Sequence, residues 1–484
     1  MLSCRNLIDG EWVGSSSSEK TVSINPANGE PVAEGPASTI EDVRSAIDHA
    51  RKALDRTTWS EDATLRTKAL LRLSSEIRAD SKRLADLLTT ENGKILGVSY
   101  KEIDIAADFA EYYGGMARNI FGRSSVTAPD TLDITIREPI GVVGVIAPWN
   151  GPLLLLMRSL APALAAGNAA IIKPASYTFG VTTELVRLIA GIPEFPKGIV
   201  NYVIGSGKTV GAELVTNPGV GMIALTGDTE TGKEVMRLGS NSLKRLSLEL
   251  GGKSPNIILD DADLGAALKG ALTGANLGSA GQICYSGTRI ILHDRVHSSF
   301  LAMARDVLPK MKIGNGFDPK TEIPPVISKA QMERILSYIE RGKSVSRLVT
   351  GGQRATANDL AKGFFVEPTV FDEPPQDSDI TQEEIFGPVL TVSSFESEEE
   401  LLSMANGTPY GLAAGIWTRS IDRAIHLAKK IQAGTVWINS YGRMSLSTEF
   451  GGYKLSGVGK TYGIEGLLDF TQMKRIAIQT NPRA

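Results

Sequence analysis

The chain has 484 residues, 42% of them hydrophobic and 22% charged, with a formal net charge of −3 at pH 7. This length allows roughly two to four domains with sizeable cores, and the charge balance argues against nucleic acid or an anionic membrane surface as a partner. Only Cys4 and Cys284 occur, which excludes a disulfide framework and fits a reducing, cytoplasmic setting.

No signal-peptide core stands at the start. The most apolar run, Leu153 toward Leu164, carries Arg158 and Pro162, so no membrane span is expected. Residues 1–36 read as short strands and turns, with a turn cluster at Asn25–Gly29. Ser38 to Glu41 forms a capping-box start. Val43, Ile47, Ala50 and Leu54 then follow at helical spacing. A second helix is expected over about Leu65–Asn92 and a third over about Gly97–Ile120. The alternation in 124–139 predicts an exposed strand pair, and 467–480 predicts a further strand.

Ile140–Pro148, 169–176, 201–205, 221–227, 247–250 and 256–260 are short apolar runs separated by helical stretches. Unbroken apolar runs suit parallel strands buried on both faces. The alternation predicts an open, doubly wound α/β sheet. A second series follows at 288–293, 363–371, 389–395, 412–418 and 434–439, with helices near 296–311, 328–342 and 396–405. The glycine–lysine–threonine run at 207–209 lacks the earlier glycine of a phosphate-binding loop, since residue 202 is Tyr202. No GxGxxG follows the first strand, and four scattered histidines lack ligand spacing, so no metal is expected.

Chemistry concentrates in 249–288. Glu249 stands beside Gly251–Gly252, and Cys284 sits among Gly278, Ser279, Ala280, Gly281 and Ser286. A thiol on a small-residue turn is open to substrate, and a carboxylate on a second such turn could act as base. The alternative for the same residues is a buried structural thiol.

ELGGKSP at 249–255 followed by GQICYSGTR at 281–289 resembles the signature pair of the aldehyde dehydrogenase superfamily. The resemblance extends in order through APWN (147–150), KPAS (173–176), TGD (226–228), EEIFGPV (383–389) and the glycine block at 451–457. It implies two doubly wound open-sheet domains: a Rossmann-like cofactor domain over 1–120 and 141–248, and a catalytic domain over 249–445. It also implies a small β oligomerisation element from 121–140 and 446–484, with a homodimer or homotetramer as the assembly. The implied reaction oxidises a small-molecule aldehyde through a thioester, with NAD or NADP as cofactor.

Residue by residue, the resemblance makes Cys284 the nucleophile, Glu249 the general base and Asn150 an oxyanion donor. Lys173, Ser176, Trp149, Gly227, Gly232, Glu384 and Phe386 match cofactor-binding positions. Many relatives carry glutamate where Ser176 stands, and its loss removes a barrier to a 2′-phosphate. Asp228 replaces the usual serine; a carboxylate beside a diphosphate must turn away or cap the following helix. Gly232 reads equally as a helix-packing glycine. Glu449 replaces a usual proline at the substrate entrance.

Gly151, Tyr285 and Arg158 are the substrate candidates. Gly151 opens space next to Asn150, and Tyr285 suits an aromatic aldehyde. Arg158 lies on an apolar helical stripe, and a guanidinium there needs an anion. Enzymes resembling succinate-semialdehyde dehydrogenase have arginine at this place, so Arg158 implies either a clamp for a distal carboxylate or an internal ion pair. Arg443 is a second possible clamp. The alternatives are an aliphatic or aromatic aldehyde dehydrogenase of broad specificity, a CoA-acylating relative, and an inactive binding or scaffold homologue.

Overall fold

Helix α1 (Ile40–Arg56) starts one residue later than the Ser38–Glu41 pattern suggests. The Asn6 side chain donates to the Ser38 hydroxyl, and the Ser38 N–H donates to the Ile204 carbonyl, which ties Ser38 to the neighbouring strands. Thr39 therefore caps, and its capping box closes with Asp42. These elements belong to a computed structural model that describes residues 1–479. The ends of the 467–480 and 446–484 segments, from residue 480 onward, lie outside the described residues.

The single helix expected over Leu65–Asn92 is two helices, α2 (Ala63–Ala79) and α3 (Ser81–Asn92). Asp80 leaves helical geometry at φ −100° and ψ 12°. Its carboxylate is held by Arg83 one turn on, so the side chain stabilises the break. Helix α4 (Leu96–Met116) ends before the expected Ile120, and the chain turns at Asn119 toward the next strand.

Two large sheets carry the fold. The first has eight strands in the order Gly457–Val458, Arg245–Glu249, Met222–Thr226, Val142–Ile146, Ala169–Lys173, Val200–Tyr202, Asn6–Ile8 and Glu11–Val13. Its five central strands are parallel, and antiparallel strands close both edges. Ala169–Lys173 is buried throughout because helices cover both faces. The second sheet has seven strands: Arg347–Thr350, Thr369–Asp372, Val389–Phe395, Arg289–His293, Pro255–Ile258, Ala413–Trp417 and Thr435–Ile438. All pairs are parallel except that of the first strand, which is antiparallel to its neighbour.

The chain passes from the first sheet to the second between Glu249 and Pro255. Gly457–Val458 later returns to the first sheet. A third, antiparallel sheet joins Thr471–Gln479, Thr131–Pro139 and Arg123–Ala128. No helix of the described residues is long and apolar enough to cross a membrane.

Candidate active site

The parallel strands of the first sheet end together. Register pairs Ile146 with Lys173 and Thr226 with Glu249, so these residues share one edge. Such carboxyl-terminal edges are where open α/β sheets hold ligands. Just past the Val142–Ile146 strand stands Asn150, before helix α5 (Pro152–Ala165).

The nucleophile turn is shaped by backbone that side chains rarely allow. Ala280 and Gly281 have φ of 50° and 71°, and a Cβ on Gly281 would fall 2.2 Å from the Gly387 carbonyl oxygen. On the other side, a Cβ on Gly252 would meet the Cys284 carbonyl oxygen at 2.7 Å. The Gly252 N–H donates to Glu384 Oε1 at 3.2 Å. The glycines thus let three distant segments, 249–252, 281–284 and 384–387, touch.

Cys284, Asn150, Arg158, Gly151 and Tyr285 all line one cavity of about 380 Å³. Asn150 Nδ2 donates to the Gln282 carbonyl at 3.0 Å. A primary amide has two N–H donors, so one remains for a ligand oxygen. Glu249 is buried behind the cavity. Its Oε1 accepts from Thr461 Oγ1 at 3.5 Å, and its Oε2 has no hydrogen-bond partner. Arg158 Nη1 is 3.9 Å from that oxygen. Arg158 Nη2 donates to Thr226 Oγ1 at 2.7 Å, while its Nε is unpartnered.

Burial pushes the Glu249 carboxyl up to about 7, against the opposing pull of Arg158 and Lys460. Burial also pushes the Cys284 thiol up to about 12; Arg158 lowers it, and Glu384 and Glu249 raise it further. A thiol this reluctant to ionise needs a proton acceptor, and a carboxyl near 7 can take or give a proton at neutral pH. Together the groups can support addition of the thiol to a carbonyl, donation to the resulting oxyanion, and activation of water.

The cofactor candidates divide in two. Trp149 and Phe386 pack edge to face, with ring centroids 5.4 Å apart, and Phe386 is held at φ 58°. Glu384 is half-buried against the Gly251–Gly252 backbone, and desolvation there pushes it up to about 7. Lys173 Nζ donates to the Pro174 carbonyl, and burial lowers it to about 8. Ser176 is exposed beyond the strand end. The Gly227 N–H donates to the Glu249 carbonyl at 3.1 Å. Asp228 caps the helix Thr229–Gly239 by accepting from the Thr231 N–H at 2.9 Å. A Cβ on Gly232 would strike Leu250 at 2.5 Å, so this glycine packs that helix on the 249–252 turn.

Arg443 is exposed, and its carbonyl accepts from Trp437 Nε1; it does not line the cavity. Glu449 is exposed, with its carboxylate against Gly463. Sequence reasoning missed Lys94, Glu102, Phe450 and Tyr462, which also line the cavity. Glu102 reads as a solvent-face residue of a long helix, and only folding shows that it points inward. Among the described residues, His297, Asp372 and Glu373 also gather their polar atoms within 4.8 Å, away from this cavity. There Asp372 already pairs with Arg347 and His297.

The sequence model of the "Aldehyde dehydrogenase family" matches residues 12–476. A betaine aldehyde dehydrogenase of Bacillus subtilis (strain 168) is 42% identical over 482 residues, which is 99% of this chain and 98% of that protein. The crystal structure of betaine aldehyde dehydrogenase from Staphylococcus aureus in complex with NAD+ superposes with a TM-score of 0.98 at 39% identity, covering all of this chain and 96% of that one. An apo point mutant of the same Staphylococcus aureus enzyme gives the same TM-score of 0.98 and identity of 39%, with 97% of that chain covered.

Proposed function

We infer the reaction from kinship: the chain belongs to the aldehyde dehydrogenase family and is an NAD(P)-dependent aldehyde dehydrogenase. Cys284 is the nucleophile, and as the thiolate, which hydrolysis regenerates in each turnover, its sulfur adds to the aldehyde carbon while the carbonyl electron pair moves to oxygen. The free Asn150 amide hydrogen holds the oxygen that becomes negative in that step. When bound, the nicotinamide cofactor supplies the hydride acceptor. Glu249 then takes a proton from the water that attacks the thioester, and the carboxylic acid leaves Cys284.

Trp149 and Phe386 are proposed to flank the nicotinamide, and Glu384 to hold its ribose. Lys173, Ser176, Gly227 and Gly232 are assigned to the adenosine and diphosphate side. The edge shared by Lys173, Thr226 and Glu249 supports this fit, because it opens at the carboxyl ends of parallel strands. The Staphylococcus aureus enzyme is bound to NAD+, and we assign NAD to this chain. Exposed Ser176 leaves room for NADP.

For the substrate, the reading best supported is an aldehyde with a distal carboxylate. The observation that carries it is Arg158, buried in the cavity wall with its Nε unpartnered. Along the wall, Lys94 pairs with Glu102 and Arg158 faces Glu249 at 3.9 Å, and Lys101 and Asp108 add one charge of each sign. A second reading is an aromatic aldehyde, favoured by Tyr285 packed edge-on to Trp437 and Phe450 at 5.8 and 6.4 Å.

The test is kcat/KM with NAD for succinic semialdehyde, betaine aldehyde, benzaldehyde and butanal, in the wild type and in Arg158→Ala. Loss of an anchoring charge pair should lower the acid-to-neutral ratio about 100-fold, in line with roughly 3 kcal/mol for a buried charged contact. An unchanged ratio rejects the clamp. The cofactor domain is taken as 1–120 with 141–248, the catalytic domain as 249–445, and a self-associated cytoplasmic enzyme completes the proposal.

A further inference from the structure

The α3–α4 junction grips the Asn150 segment from outside the strands that deliver it. Asn92, the last residue of α3, donates through Nδ2 to the Trp149 carbonyl at 2.7 Å. Lys94 Nζ donates to the Asn150 carbonyl at 2.8 Å and to Glu102 Oε2 at 2.5 Å. Glu102 Oε1 in turn accepts from the Leu153 and Leu154 N–H groups at 3.0 and 3.4 Å.

Helix α5 has Gly151 at its N-cap and no side-chain cap of its own. Glu102, from α4, replaces that cap and brings the negative charge that a helix N-terminus favours. Lys94 and Glu102 are 4% and 5% exposed, so each charge needs the other. The junction is itself anchored to the second-sheet half of the molecule, since the Leu96 N–H donates to the Gly316 carbonyl at 3.0 Å. The peptide on either side of Asn150 is thereby held, and the amide is held at Gln282, two residues before Cys284.

We propose that Lys94 and Glu102 form a positioning pair for Asn150, orienting its amide toward the oxygen that develops charge at Cys284. The proposal rests on the reading of Asn150 as oxyanion donor. Neither residue exchanges a proton in the reaction; each acts through the backbone of residues 150–154. A shift of about 1 Å in a positioned group can cost about 100-fold in rate, so loss of the pair should register mainly in kcat.

The experiment is a double-mutant cycle. Lys94→Met, Asn150→Ala and the double variant are compared by kcat, KM and NAD affinity from intrinsic fluorescence. The expected result is a 10- to 100-fold fall in kcat for Lys94→Met, in proportion to such a displacement, with NAD affinity unchanged. In the Asn150→Ala background the same substitution should cost less than about twofold, because sites that act as one unit are not additive. An equal fall in both backgrounds overturns the positioning role while leaving Asn150 as a donor. If Asn150→Ala alone leaves kcat unchanged, the donor reading falls, and the positioning proposal falls with it. Should Lys94→Met not fold, Glu102→Gln takes its place in the cycle. Its amide oxygen still accepts from the helix N-terminus, and only the charge partner of Lys94 is lost.

Discussion

Glu249 and Arg158 set the pH behaviour of the site between them. The Glu249 carboxyl is pushed up to about 7 mainly by burial, and Arg158 opposes that shift from 3.9 Å. A base works only when deprotonated, so the hydrolytic limb of kcat should rise as pH increases through about 7. Removing the cation removes a force that favours the carboxylate. Arg158→Gln should therefore move this limb to higher pH, read from kcat–pH profiles with a neutral aldehyde. Cys284, pushed up to about 12, should alkylate faster with iodoacetamide as pH rises in the free enzyme. Glu249→Gln should keep a stoichiometric burst of reduced cofactor while steady-state turnover falls at least about 100-fold, as loss of a general base implies. An absent burst in that variant would show Glu249 to be needed before hydride loss. The identities of Cys284, Glu249 and Asn150 as candidates were legible in the residue order. Arg158 was legible only as a charge needing a partner; that the nearest carboxylate is Glu249 was not, because ninety residues separate them along the chain.

Local elements show the same division between near and distant partners. A cap for the helix Thr229–Gly239 was foreseeable at Asp228, because the Asp-Thr-Glu-Thr order offers a carboxylate three residues before an amide. Its charge also reaches Glu384, where it adds to the upward shift. Asp228→Ser keeps a capping oxygen and removes a negative charge from the proposed diphosphate edge. It should tighten NAD binding several-fold at nearly unchanged Tm, measured by calorimetry and thermal unfolding; weaker binding would move the diphosphate away from this helix. Asp228→Ala should instead lower stability by about 1 kcal/mol through the lost cap. The break at Asp80 was not legible, since 65–92 keeps helical periodicity across it. Ser38 failed as a cap for a related reason: its polar atoms are engaged by Asn6 and Ile204.

Across the whole molecule, the antiparallel sheet of Arg123–Ala128, Thr131–Pro139 and Thr471–Gln479 leaves apolar side chains open. Val126 is 75% exposed, and Met473 is 69% exposed. Such a surface beside an edge strand favours pairing with another copy. Met473→Lys combined with Val126→Lys should reduce the mass found by light scattering; an unchanged mass would place the contact between subunits elsewhere. Residue order was enough for the α/β class, the two strand series and the family, because buried parallel strands leave short apolar runs and reactive turns leave glycines beside Cys284 and Glu249. Tertiary structure decided what those local signals cannot carry. It brought Glu384 onto Gly251–Gly252, set Arg158 against Glu249, and turned Glu102 from an apparent surface charge into the cap of α5. The reason is physical: a buried charge is defined by the partner that compensates it, and that partner is chosen by which segments the two sheets bring to one edge.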